Sequence, residues 1–175
     1  MKWVAISGGW RRTNKKIENE VRAVVREIIE RGDGIVSGGA LGVDSIVLDE
    51  ALRLNPKADR IKIFLPTSLE IFAAHYRQRA REGVITGEQA KGLISQLTDL
   101  KNGNPQALIE NSGNTIVDKN TYYQRNSAVV EAADELVAFH IKTELSGGTG
   151  TQDTINKAKQ KGLPVKIFSY DLTVQ

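Results

Sequence analysis

Ser146-Gly147-Gly148-Thr149-Gly150-Thr151 is the stretch from which the fold of this chain is read. An apolar run ending in Leu136-Val137-Ala138-Phe139 precedes it, and a helical pattern from Gln152 to Gly162 follows it. Strand, glycine-rich turn and helix, in that order, aim backbone N–H groups and the positive end of a helix dipole at one point. Glycine lets the backbone come close to a ligand, and Thr149 and Thr151 add hydroxyls. A phosphate suits such a turn. The plainer alternative is a tight turn that uses glycine only for its backbone angles.

Two further segments repeat the pattern. Trp3-Val4-Ala5-Ile6 reads as a buried strand ended by Ser7-Gly8-Gly9. A helix from about Asn14 to Arg31 follows, with Ile17, Val21, Val24, Val25, Ile28 and Ile29 on one face. Arg11, Arg12, Lys15 and Lys16 crowd its N-terminus, where the dipole favours acidic residues. An anion held there removes the conflict, and so does extension of these long side chains into water. After the turn Gly32-Asp33-Gly34 and the short strand Ile35-Val36, the segment Ser37-Gly38-Gly39-Ala40-Leu41-Gly42-Val43-Asp44 opens a helix to about Leu54. Its glycines do not have the dinucleotide spacing, which argues against a nicotinamide cofactor. Asp44 is either a first-turn carboxylate favoured by the dipole or a group that orients the loop or a sugar hydroxyl.

Ile61-Lys62-Ile63-Phe64-Leu65, stopped by Pro66, is a third strand, and Leu163 to Phe168 supplies the last. Strands separated by helices imply right-handed crossovers and parallel pairing. The glycine-rich turns then gather along the carboxyl edge of the sheet, where open α/β folds hold their ligands. The fold class expected is α/β: a Rossmann-like three-layer α/β/α arrangement with a mostly parallel central sheet, one domain over residues 1–175. A helical insertion at about 67–119 interrupts the rhythm. Leu69 to Arg81 reads as a helix ending in the basic cluster Arg77-Gln78-Arg79-Ala80-Arg81, either a solvated face or a phosphate track. Thr86 with Gln89 forms a capping box for a helix to about Leu100. Gln106 to Glu110 reads as a short helical turn. The insertion serves as a lid, a dimer surface or plain packing. Tyr122-Tyr123-Gln124-Arg125-Asn126 starts another helix, to about Ala133, whose Arg125 would offer a planar cationic fork to a phosphate. The tyrosines stack a base or pack on the sheet.

Composition narrows the function. The chain has 175 residues, no cysteine and only two histidines, His75 and His140, so thiol chemistry is excluded and no metal site or cofactor is expected. A net charge of +3 permits nucleotide or nucleic-acid binding without demanding it. Met1 to Ser7 is too short an apolar run for a signal peptide or a membrane span, so a cytoplasmic protein without a membrane partner is expected.

Ser37 to Asp44, then Arg125-Asn126, then Ser146 to Thr151 resemble, in order, the motifs of the Rossmann domain of DNA-processing protein A (DprA/Smf). They resemble more distantly the lysine-decarboxylase-like "lonely guy" (LOG) phosphoribohydrolases; both belong to the SLOG nucleotide-binding superfamily. The resemblance covers Met1 to Leu65 and Thr121 to Phe168 and leaves the insertion out. The phosphoribohydrolases carry Pro-Gly-Gly-x-Gly-Thr-x-x-Glu, whose glutamate acts with an arginine on the N-glycosidic bond. Here Ser146 replaces the proline and Thr154 the glutamate, while Arg125 matches the arginine. Asp153 is one residue off, about 100° around a helix.

The first reading is accordingly a non-catalytic module that binds a nucleotide or nucleic-acid phosphate, with single-stranded DNA as a partner implied by the resemblance. Its expected site is Ser7, Gly8, Gly9, Arg11, Arg12, Ser37, Gly38, Gly39, Asp44, Arg125, Asn126, and Ser146, Gly147, Gly148, Thr149, Gly150 and Thr151. The second is a nucleoside 5'-monophosphate phosphoribohydrolase using Arg125 with a displaced carboxylate such as Asp153 or Glu144. The third is a homodimeric scaffold without a ligand. A homodimer is expected under each.

Overall fold

Strand β1 (Trp3–Gly8) has neighbours on both edges and helices on both faces, which is why its apolar run has no polar alternation. Val4 and Ile6 point into one layer and Ala5 into the other. The computed structural model describes residues 1–173; Val174 and Gln175, the end of the expected 1–175 span, lie outside the described residues.

Among the described residues the sheet is six-stranded and parallel throughout, in the order β4-β3-β2-β1-β5-β6. The remaining strands are β2 (Gly34–Gly38), β3 (Ile61–Phe64), β4 (Leu108–Ile109), β5 (Glu135–Lys142) and β6 (Val165–Asp171). From β1 the chain winds outward through β2 and β3 to β4. It then returns to lay β5 on the other side of β1, with Ser7 opposite Ala138 and Gly8 opposite Phe139. Helix α1 (Lys15–Glu30) leaves β1 for one face, where Ile17, Val21 and Val25 meet Val4 and Ile6. Helix α6 (Thr149–Lys161) leaves β5 for the other, where Ile155 and Ala158 meet Ala5, Leu136 and Ala138. The two connections diverge and a crevice opens between the carboxyl ends of β1 and β5, the switch point at which such sheets hold ligands. Helix α2 (Val43–Leu54) joins α1 on the first face, α5 (Lys119–Glu131) joins α6 on the second, and the pair α3 (Leu69–Arg81) and α4 (Gly87–Gly103) extends the first layer.

The Rossmann-like three-layer arrangement is as expected, and so is the Thr86–Gln89 capping box: Gln89 N donates to Thr86 Oγ1 at 3.0 Å and Thr86 N to Gln89 Oε1 at 2.9 Å. Several boundaries differ, among them the last strand, which runs from Val165 to Asp171 rather than from Leu163 to Phe168. The segment read as a helical turn, Gln106 to Glu110, is a 3-10 turn (Pro105–Ala107) followed by β4, which pairs Leu108 with Ile63 and Ile109 with Phe64. Two residues are too few to show a strand period, so the insertion's contribution to the sheet edge was invisible. Strand β5 runs three residues past Phe139, because Lys142 pairs with Asp171 on β6. Helix α6 begins at Thr149 rather than Gln152, with left-handed Gly148 (φ 79°) as its N-cap. Helix α5 begins at Lys119, not Tyr122, because Asp118 and Thr121 form a reciprocal cap that places Arg125 in the second turn. No helix among the described residues is long and apolar enough to cross a membrane.

Candidate phosphate-binding cavity

A cavity of about 570 Å³ occupies the crevice. Ser7, Gly8, Gly9, Arg11 and Arg12 line it from the end of β1; Asp44 from α2; Arg125 and Asn126 from α5; and Ser146, Gly148, Thr149, Gly150 and Thr151 from the end of β5 and the start of α6. Ser37, Gly38, Gly39 and Gly147 are not on its wall. The first three lie beneath it. Ser37 is fully buried, its hydroxyl 2.8 Å from Ile6 O and 3.2 Å from Asp44 Oδ1, and a β-carbon on Gly39 would stand 2.5 Å from Leu65.

Most of the glycines serve chain packing. A β-carbon on Gly8 would come within 2.5 Å of Val43, and one on Gly9 within 2.9 Å of Ile141. Only through these approaches can the β1 and β5 turns and the start of α2 share one rim. Gly147 and Gly150 differ, since a β-carbon on either would meet nothing within 4 Å.

The turn after β5 consumes several of its own donors. Thr143 Oγ1 accepts from Leu145 N at 3.3 Å and Ser146 N at 3.1 Å, and Ser146 Oγ accepts from Gly148 N at 3.2 Å. The first intrahelical bond of α6 comes from Gln152 N to Gly148 O at 2.9 Å. The N–H groups of Thr149, Gly150 and Thr151 therefore have no intrahelical partner, and they carry the positive end of the helix dipole to the cavity wall.

Arg125 crosses the cavity floor. Its Nε donates to Asn126 Oδ1 at 3.2 Å, and its guanidinium lies 5.3 Å from the Tyr122 ring. Its Nη1 is buried with no hydrogen-bond partner among the described residues, a costly state for a charged donor. Asn126 in turn donates to Gly150 O at 3.4 Å and Asp153 Oδ2 at 3.1 Å, which ties α5 to the first turn of α6. Asp44, 7% exposed, accepts from Ala40 N at 3.2 Å. Burial pushes its carboxyl above the usual range, while the charge of Arg125, the Ala40 amide and the Ser37 hydroxyl pull the other way.

Several lining groups lie outside the expected site, Arg79 among them, although its cluster was read as either a solvated face or a phosphate track. Arg79 and His75, four residues apart on α3, share the face turned to the cavity, as do Lys119 at the start of α5 and Trp10. The helical spacing of His75 and Arg79 was available, but nothing in the sequence said which face of α3 met the sheet edge. Burial and the Arg79 charge hold the His75 imidazole below its ordinary range, which favours its neutral form at neutral pH. Trp10 Nε1 and Leu41 N both donate to the buried Tyr76 hydroxyl, at 3.1 and 3.3 Å, so one phenol fixes two rim segments. Arg11 Nη1 donates to Val84 O at 2.5 Å, and Arg12 is exposed. Arg11, Arg12, Arg79, Lys119 and Arg125 are thus opposed by Asp44 as the one lining carboxylate among the described residues. A cavity so charged raises the local concentration of polyanions.

The positions a glycosidic hydrolase would need are otherwise engaged. Thr154 is 1% exposed and donates to Gly150 O at 3.2 Å. Asp153 lies 2.7 Å from Lys157 Nζ besides its bond to Asn126. Glu144 is exposed and off the cavity wall. Among the described residues no group of three or more His, Cys, Asp or Glu is placed to hold a metal ion.

The sequence matches the family model described as DNA recombination-mediator protein A over residues 1–175. That span includes the insertion, which the motif resemblance had left out. Among solved structures, DNA processing protein A from Helicobacter pylori, described for a unique single-stranded DNA binding mode, aligns at TM-score 0.66 and 22% identity. The alignment covers 95% of this chain and 64% of that one. DNA processing protein A from Streptococcus pneumoniae aligns at TM-score 0.62 and 18% identity, covering 95% and 50% of the two chains. The structural-genomics target TM1055 aligns at 0.53 and 19%, covering 94% and 72%. This chain therefore spans between half and two thirds of the length of the two DNA processing proteins. No curated protein matches the sequence.

Proposed function

This chain belongs to the DNA recombination-mediator protein A family, and from that premise we propose that its cavity binds the phosphate backbone of a single-stranded nucleic acid without cleaving it. The observation that carries the reading is the meeting, in one hollow, of the charges of Arg11, Arg12, Arg79, Lys119 and Arg125 with the free N–H groups at the start of α6. Arg125 and the α6 amides take phosphate oxygens; Asn126 and Asp44 hold Arg125 and the Ser37–Asp44 turn in place. Tyr123 on the cavity wall, its ring 5.4 Å from Lys119 Nζ and 5.1 Å from Lys157 Nζ, offers a surface for a base. The non-catalytic part of the reading is supported by the burial of Thr154 and the engagement of Asp153, which leave no carboxylate free at the place of the hydrolases' glutamate.

The test is thermal. An oligothymidylate that binds only the folded chain raises its melting temperature with ligand concentration. A melting temperature indifferent to oligonucleotide at low salt contradicts the proposal. A rise produced equally by a mononucleotide would assign the cavity to a free nucleotide instead.

A further inference from the structure

The basic cluster of α3 divides between two surfaces. His75 and Arg79 face the cavity described above. Arg77 and Arg81, also one turn apart, point away from it into a groove of about 430 Å³ between α3 and α4. Lys91 of α4 lines the same groove, its floor is Ala80, Ala90 and Ile94, and Asp99 is its one carboxylate among the described residues. Arg77, Arg81 and Lys91 are exposed and take part in no ion pair among the described residues; Arg81 Nε donates only to Gln78 Oε1, at 3.2 Å. Arg79, between them in sequence, pairs with Glu82 at 3.2 Å. A helix C-terminus favours cations, which accounts for Arg79 and Arg81 on α3. It does not account for Lys91, which sits in the second turn of α4, far from that helix's C-terminus.

We infer that this groove is a second contact for the same nucleic-acid strand, taking backbone phosphates that continue past the cavity over α3. The inference rests on the nucleic-acid reading of the cavity. Three unpaired cations against one carboxylate match the charge of a polyanion, and cavity and groove flank the same helix, only about 10–12 Å wide. Ala80, Ala90 and Ile94 on the floor offer no hydrogen bond to a base edge, and the cations take the backbone phosphates, which carry no sequence information.

Oligothymidylates of two lengths separate the possibilities, one of about four nucleotides, enough for a single subsite, and one of about twenty. Binding is measured by fluorescence anisotropy over a salt series for the wild-type chain and for the variant combining Arg77→Ala, Arg81→Ala and Lys91→Ala. All three positions are exposed, and an unchanged melting temperature shows that the variant folds. The expected result is at least a tenfold loss for the long oligomer with the short one unaffected. The slope of log K against log salt for the long oligomer should also become shallower by roughly 2, three contacts at about 0.7 each. An unchanged affinity and slope for the long oligomer overturns the groove. So does an equal loss for both lengths, which would mean that the substitutions act through the cavity. A wild-type chain that binds neither length overturns the cavity reading itself, and the groove with it.

Discussion

Arg125 Nη1 and Asp44 Oδ2 face each other over the α-carbon of Gly38, where a β-carbon would stand 2.2 Å from the first and 2.6 Å from the second. They form no ion pair, yet the charge of Arg125 draws the Asp44 carboxyl downward against the upward push of its burial. The missing methyl at position 38 is thus what lets the floor of the cavity hold both charges.

Gly38→Ala should therefore force Arg125 or Asp44 aside. Overpacking of this kind costs about 1–3 kcal/mol, and oligonucleotide affinity should fall with it. Gly147→Ala, whose β-carbon meets nothing within 4 Å, should leave stability nearly unchanged. Urea unfolding of the two variants checks the pair; equal losses would contradict the packing described for Gly38.

Asp44 also predicts a pH dependence. Its folded pKa is raised above the ordinary 3.8, so the folded state holds the proton more tightly than the unfolded one. The stability this contributes is complete below the ordinary value and is lost as pH rises through the folded pKa. Asp44→Asn, which does not titrate, should abolish that decline. Unfolding midpoints of wild type and variant that run parallel across the acid range and up to neutrality would contradict it. Glu50 is the opposite case: 2% exposed, it is held below 4.5 by Arg53 and Arg22. Its contribution is present above 4.5 and fails as pH falls, and Glu50→Gln should remove that loss on the acid side.

Much of this architecture was legible because periodicity and caps are local. The apolar face of α1 and the Thr86–Gln89 box can be read without knowing what they pack against. The start of α5 was missed because Asp118 caps with Thr121 rather than with glutamate or glutamine, the usual signature of the box. Strand β4 was missed because it is two residues long and exists only through its pairing with β3. At the cavity, the sequence pointed to the glycine turns but not to what each glycine does. Gly8, Gly9 and Gly39 are filled by Val43, Ile141 and Leu65, contacts between segments distant in the chain. For the same reason the sequence left the Arg77–Arg81 cluster open between a solvated face and a phosphate track and assigned His75 no place, until α3 was set over the sheet edge.

Tyr76→Phe removes the acceptor of both Trp10 Nε1 and the Leu41 amide. Trp10 is exposed and its indole can turn to water, but leaving the buried Leu41 amide unpaired costs about 1–3 kcal/mol, so the variant should unfold at lower urea and exchange the Leu41 amide faster. Unchanged exchange would contradict the role given to this phenol as the tie between the two rim segments.

Incubation with the common nucleoside 5'-monophosphates should release no free base, because Thr154 is buried where the hydrolases carry glutamate. Chromatographic detection of base, lost again in Asp153→Asn, would restore the hydrolytic reading.

The most direct test is the salt dependence of single-stranded oligonucleotide binding in the wild-type chain and in Arg125→Ala. The account predicts binding by the wild type that weakens steeply with salt, by about 0.7 in log K per decade for each phosphate contacted, and at least a tenfold loss in the variant. Binding that ignores both salt and the removal of Arg125 would contradict it.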